Sequence, residues 1–116
     1  MAISDLQGKK VFITGAASGI GAATARAFAE QGCELVLTDV DASGLEVTAA
    51  SVKDAGARSH SRILDVSNEE QFKRVAADVC ASIGVPHVLV NNAGIGVHGS
   101  FLNTPMDAVR RVFDIN

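Results

Sequence analysis

Gly15, Gly19 and Gly21 are the residues whose type and spacing first suggest chemistry in this chain. They follow Lys10-Val11-Phe12-Ile13-Thr14, an apolar run that fits a strand buried on both faces, and they lead into a stretch of helical period. A glycine in such a turn permits a tight bend, lets backbone approach a pyrophosphate and lets strand and helix pack closely. The helix start offers free N–H groups and a positive dipole end to the phosphates. The spacing is GxxxGxG, not the general GxGxxG. It is not a P-loop either, because a P-loop needs Lys-Ser/Thr after its last glycine and Ala22 follows Gly21. Three glycines can also make a plain tight turn; the buried strand before them and the amphipathic helix after them favour nucleotide binding. Asp39 ends the second apolar run, 18 residues after Gly21. That is near the roughly 20-residue offset of a carboxylate that bonds a ribose 2′-OH. A carboxylate there repels a 2′-phosphate, and neither Val40 nor Ser18 supplies a cation to hold one, so NAD is favoured over NADP. The competing reading of Asp39 is a cap on the next helix, a job open to Asp41 as well.

Four short apolar runs and four helical stretches alternate along the chain. The strands are read at Lys10–Thr14, Glu34–Thr38, Ser59–Leu64 and His87–Asn91, the third being polar enough to suit a sheet edge. The first helix places Ile20, Ala23, Thr24, Ala27 and Phe28 on one stripe and stops at Gly32. The second starts near Asp41, carries Leu45, Ala49 and Val52 on one face and stops at Gly56, with Gly44 weakening its first turn. Ser67-Asn68-Glu69-Glu70 reads as a capping box opening a third helix through Phe72, Val75, Ala76, Val79, Cys80 and Ile83. Thr104 and Pro105 open a last helix, expected to run through Asn116. This β-α-β-α-β-α-β-α order predicts an α/β doubly wound parallel sheet, with ligands bound at the carboxyl ends of the strands. The informative loops are then Gly15–Gly21, Asp39, Asp65-Val66 and Asn91–Gly99.

With those positions fixed, the motifs resemble the short-chain dehydrogenase/reductase family in its classical branch. Thr14-Gly15-Ala16-Ala17-Ser18-Gly19-Ile20-Gly21 is similar to that branch's cofactor turn, and Asn91-Asn92-Ala93-Gly94 to its second motif. Asp65-Val66 is similar to the pair that meets adenine. The resemblance implies a Rossmann-type sheet of order 3-2-1-4 and an oxidoreductase that moves hydride between NAD(P) and a small alcohol or ketone. It implies that Gly15, Ser18, Gly19, Ile20 and Gly21 line the pyrophosphate, Asp39 the adenosine ribose, and Asp65 and Val66 the adenine. Asn92, Ala93 and Gly94 would lie along the nicotinamide side. Asn116 matches the family's catalytic Asn by position; it also falls on the Val109/Val112/Phe113 stripe, although an Asn at a chain end can equally fray.

The departure from the family pattern is the absence of any Tyr. The family's Ser and Tyr-x-x-x-Lys are not in these residues, and without the Tyr hydride transfer has no proton partner. The 116-residue chain alone is therefore expected to be inactive: the dinucleotide-binding amino-terminal half of a single domain, residues 1–116, with no second domain. The alternative is a non-catalytic short form that binds dinucleotide. A methyltransferase is disfavoured by Asn91-Asn92-Ala93-Gly94.

Composition excludes other classes. Ten basic and thirteen acidic residues give a net charge of −3, with the basic ones scattered, so a nucleic-acid face is not expected. The longest apolar run is three residues, which predicts no transmembrane span. No signal-peptide core is present at the N-terminus, and Cys33 and Cys80 read as buried, reduced thiols, which together predict a cytoplasmic protein. No metal site is expected from His60, His87 and His98. The whole protein is expected to be a homo-oligomer, dimer or tetramer. The isolated chain is expected to self-associate through a bare fourth-strand edge.

Overall fold

A computed structural model describes residues 6–93 and the backbone of Asp114–Ile115. The elements are β1 (Lys10–Thr14), α1 (Gly19–Glu30), β2 (Glu34–Asp39), α2 (Ala42–Asp54), β3 (Ser59–Ile63), α3 (Glu69–Ser82), β4 (Val88–Asn91) and β5 (Asp114–Ile115). All strand pairs are parallel, in the order β3-β2-β1-β4-β5. The expected 3-2-1-4 order is present, with β3 at one edge.

Alternation along the strands decides which face each residue serves. Val11, Ile13, Leu35, Leu37, Val88 and Val90 pack on one side with Ala25, Ala29, Leu45 and Val52 of α1 and α2. Phe12, Val36 and Leu89 pack on the other with Phe72, Ala76 and Val79 of α3. The rings of Phe12 and Phe72 meet at 6.1 Å between centroids. β1, β2 and β4 are thus covered on both faces, which is why their apolar runs are continuous rather than alternating.

Three local readings need correction. In α1 the buried positions are Gly21, Ala25 and Ala29, while Ile20, Ala23 and Ala27 are exposed. The helix is rotated from the expected stripe because it sits so close to the sheet that its smallest residues must face inward. A Cβ at Gly21 would lie 2.0 Å from the Gly15 carbonyl oxygen. In α3 the cap is Asn68, whose side chain accepts from the Gln71 N–H at 3.0 Å. Ser67 instead donates its hydroxyl to Asp65 at 2.6 Å. Finally, Asp114–Ile115 is not helical: it runs beside β4, with Leu89 opposite Asp114 and Val90 opposite Ile115. An open strand edge presents unpaired N–H and C=O groups, and two extended residues provide partners there that a helix would not. The β4 edge is therefore not bare along Leu89-Val90. The rest of the expected last helix, with Asn116, and the loop before it, with Gly94 and His98, lie outside the described residues.

Gly32 and Gly56 end α1 and α2 at positive φ (83° and 89°), as their positions implied. Both cysteines are free thiols, Cys33 buried and Cys80 half-buried; burial pushes both up from the ordinary thiol range. Among the described residues no helix is long and apolar enough to cross a membrane.

Candidate functional site

The carboxyl ends of β1, β2, β3 and β4 open into a shared cleft. Gly15, Asp39, Val40, Leu64, Asp65, Val66 and Ala93 line it, enclosing about 220 Å³. The structure thus brings together Gly15, Asp39, Asp65, Val66 and Ala93, read from four different strand ends. Ser18, Gly19 and Ile20 are exposed at the start of α1. Gly21 and Asn92 do not line the cleft; they shape the turn beside it.

The turn is built by hydrogen bonds. Gly15 has φ +66°, a left-handed conformation that a side chain resists. A Cβ there would also lie 3.1 Å from both the Ala93 backbone nitrogen and Asn92 Nδ2. The Ser18 hydroxyl donates to the Gly15 carbonyl at 2.8 Å and accepts from the Gly21 N–H at 3.2 Å, capping α1. Asn92 Nδ2 donates to that same carbonyl at 3.1 Å and to Ser18 Oγ at 2.9 Å. The Ala93 N–H donates to Thr14 Oγ1 at 3.1 Å. The motif after β4 is therefore fastened to the motif after β1.

What remains at the turn is the helix end itself. The first N–H groups of a helix have no intrahelical acceptor, and Gly21's is taken by Ser18, leaving the Gly19–Ile20 end to face outward. α1 has no acidic residue in its first turn to offset the positive dipole end, whereas α3 has Glu69 and Glu70. A Cβ at Gly19 would meet nothing within 4 Å, so the space over the turn is open.

Asp39 and Asp65 supply the negative side. Asp39 Oδ2 accepts from the Ala17 N–H at 3.0 Å and Oδ1 from the Asp41 N–H at 3.1 Å. It does not cap α2; Asp41 does, accepting from the Gly44 N–H at 3.0 Å. Asp65 Oδ1 accepts from the Ser67 hydroxyl and, at 3.0 Å, from the Ser67 N–H. These two bonds, the hydroxyl first, favour the charged form and hold the Asp65 carboxyl below its ordinary range. Its own N–H donates to Gln71 Oε1 at 2.6 Å. Among the described residues no three His, Cys, Asp or Glu side chains come together as a metal-binding group.

Two residues of this site were not singled out from the sequence. Thr48 donates its hydroxyl to the Ala16 carbonyl at 2.9 Å. A Cβ on Gly44 would lie 2.6 Å from the Ala17 Cβ. Gly44 and Thr48 are four apart on α2, so they share a face. That spacing was the available signal, although Gly44 reads from sequence only as a weak first turn.

A parallel 3-2-1-4 sheet, helices on both faces and a cleft at the switch point beside a glycine turn define the doubly wound dinucleotide-fold class. Residues 9–116 match the family model described as short chain dehydrogenase, and the chain belongs to that family. It is 45% identical over 106 residues to a probable oxidoreductase, EphD, of Mycobacterium tuberculosis (strain ATCC 25618 / H37Rv), covering 91% of this chain and 18% of that protein. Among solved structures it is similar to an NAD+-bound xylitol dehydrogenase (TM-score 0.74, 37% identity, 77% of this chain and 34% of that one). It is also similar to L-sorbose reductase from Gluconobacter frateurii complexed with NADPH and L-sorbose (TM-score 0.71, 39% identity, 76% of this chain and 34% of that one). The chain thus spans between 18% and 34% of the length of these relatives.

Proposed function

We propose that these residues form the nicotinamide dinucleotide site of an oxidoreductase that moves hydride between NAD and a small alcohol or ketone. The observation that carries the reading is the uncompensated start of α1 beside a cleft lined by the turn residue Gly15 and the Asp39 carboxylate. The residues fit such a cofactor. The start of α1 at Ser18, Gly19 and Ile20, with Gly15 and Gly21 giving the close approach, would hold the pyrophosphate. Asp39 would accept from the adenosine ribose hydroxyls. Asp65 and Val66, with Val40 and Leu64 beside them, would enclose the adenine. Asn92, Ala93 and Gly94 would lie toward the nicotinamide. Asn116 is kept as a catalytic candidate on the family resemblance alone. When bound, the cofactor supplies the hydride or takes it up.

NAD is favoured over NADP because Asp39 is the charged group of the cleft nearest the turn and is an anion. Relatives of both kinds exist: the xylitol dehydrogenase structure holds NAD+ and the L-sorbose reductase structure NADPH. A second reading, dinucleotide binding without turnover, rests on the absence of Tyr from the 116 residues. By themselves these residues are expected to bind and not to turn over. The test is a titration of the chain with NADH followed by nicotinamide fluorescence. Saturation at one site, reversed by ADP-ribose, is expected; an NADH signal that ADP-ribose leaves unchanged overturns the reading.

A further inference from the structure

We propose that Thr48 is a positioning residue for the dinucleotide turn, acting through the Ala16 peptide from the opposite side to the ligand. The inference rests on the function proposed above and deepens it. Ala16 and Ala17 form the part of the turn between the left-handed Gly15 and the capping Ser18. Three groups from the second β-α unit hold them. The Ala16 N–H donates to the Thr38 carbonyl at 3.0 Å. The Ala16 carbonyl accepts from Thr48 Oγ1 at 2.9 Å. The Ala17 N–H donates to Asp39 Oδ2 at 3.0 Å. Thr48 is 2% exposed, so its hydroxyl is a buried polar group whose acceptor is the turn itself. A mid-helix Thr usually bonds back to its own helix; this one is directed out of α2 to the turn.

Gly44, one helical turn earlier on α2, sets the distance. With a Cβ there 2.6 Å from the Ala17 Cβ and 2.7 Å from Asp41 Oδ2, α2 could not approach closely enough for Thr48 to reach Ala16 without displacing the turn. Glycine at 44 and a hydroxyl at 48 act together: one admits the approach and the other fixes the peptide plane. The plane matters because Ala16 immediately precedes the Ala17 N–H that Asp39 holds and lies two residues before the helix cap. A tilt there moves the Gly19–Ile20 helix end relative to Asp39, and a ligand that must span both loses affinity. A ligand that engages only the Asp39 and Asp65 side does not.

The experiment compares ADP-ribose, which carries the pyrophosphate, with adenosine, which does not, on the wild type, Thr48→Val and Thr48→Ser. Valine keeps the volume and removes the donor; serine keeps the donor. Loss of one buried donor is expected to weaken ADP-ribose binding by about tenfold in Thr48→Val. Adenosine affinity should stay within about twofold, and Thr48→Ser should restore ADP-ribose binding. Equal losses for both ligands, or no loss in a folded Thr48→Val chain, overturn the proposal. If Thr48→Val does not fold, Thr48→Ser and Gly44→Ala decide: Gly44→Ala must lower ADP-ribose affinity selectively while Thr48→Ser does not. A wild type that binds neither ligand overturns the proposed function itself, a result distinct from equal losses.

Discussion

Asp39 Oδ2 sits 3.0 Å from the backbone nitrogen of Ala17, so the carboxylate at the end of β2 holds the turn at the end of β1. The same side chain has its other oxygen on the Asp41 N–H, at the start of α2. One carboxylate therefore joins the turn, its own strand and the next helix, while facing the cleft that the adenosine ribose would occupy.

Asp39→Ala removes both the proposed ribose acceptor and the fastening of the turn. Hydrogen bonds to a charged group are each worth about 1.5–3 kcal/mol. NAD affinity is therefore expected to fall by about 10- to 100-fold, and the preference for NAD over NADP to shrink with it. Calorimetric titration of the variant with both dinucleotides measures this; an unchanged NAD affinity would show that Asp39 does not touch the ligand.

Gly19 and Gly21 are expected to separate fold from function. The ideal Cβ position at Gly21 is 2.0 Å from the Gly15 carbonyl oxygen, whereas at Gly19 nothing lies within 4 Å. Gly21→Ala is expected to cost about 3 kcal/mol or more of stability, since backbone rather than a flexible side chain must move. Gly19→Ala is expected to fold as the wild type does, yet to weaken dinucleotide binding because its methyl group occupies the phosphate approach. Urea unfolding and NADH titration on the two variants give the two readouts. Similar midpoints for both variants would contradict the packing argument.

At the other end of the sheet, His87 and Lys10 exchange two bonds. The Lys10 N–H donates to His87 Nδ1 at 3.0 Å, and the His87 N–H donates to the Lys10 carbonyl at 2.8 Å. Burial, then the positive charges of Lys9 and Lys10, push the His87 pKa below its ordinary value. The unfolded chain then binds the proton more readily, so the contribution is fully present above about pH 6.5. It is lost as pH falls through the folded value. Unfolding midpoints should drop between pH 7 and pH 5 more steeply in the wild type than in His87→Gln. Parallel curves would sink the assignment.

The succession of elements was legible because each buried strand declared itself by an unbroken apolar run and each helix by a stop glycine or cap; the 3-2-1-4 strand order followed from the family resemblance, not from these runs. Part of the cleft lining was legible because Gly15, Asp39 and Asp65 sit at strand ends, where glycines and carboxylates stand out against apolar neighbours. The α1 face was not. Ala23 and Ala27 are as apolar as Ala25 and Ala29, and only the close approach at Gly21 selects the buried set. The α3 cap shifted by one residue because Ser67, Asn68 and Asp65 compete locally, and Asp65 captures the serine. Thr48 was hidden because its partner is a backbone carbonyl 32 residues away, which no local pattern announces. β5 was not legible because its two residues lie in a stretch of helical period, while their backbone pairs with β4.

The most direct test of the account is a side-by-side calorimetric titration of the chain with NAD and NADP at matched ionic strength. The proposed role of the Asp39 carboxylate at the ribose predicts one-site binding of NAD and an affinity for NADP at least about tenfold weaker. Equal or tighter binding of NADP, or no binding of either, would contradict it.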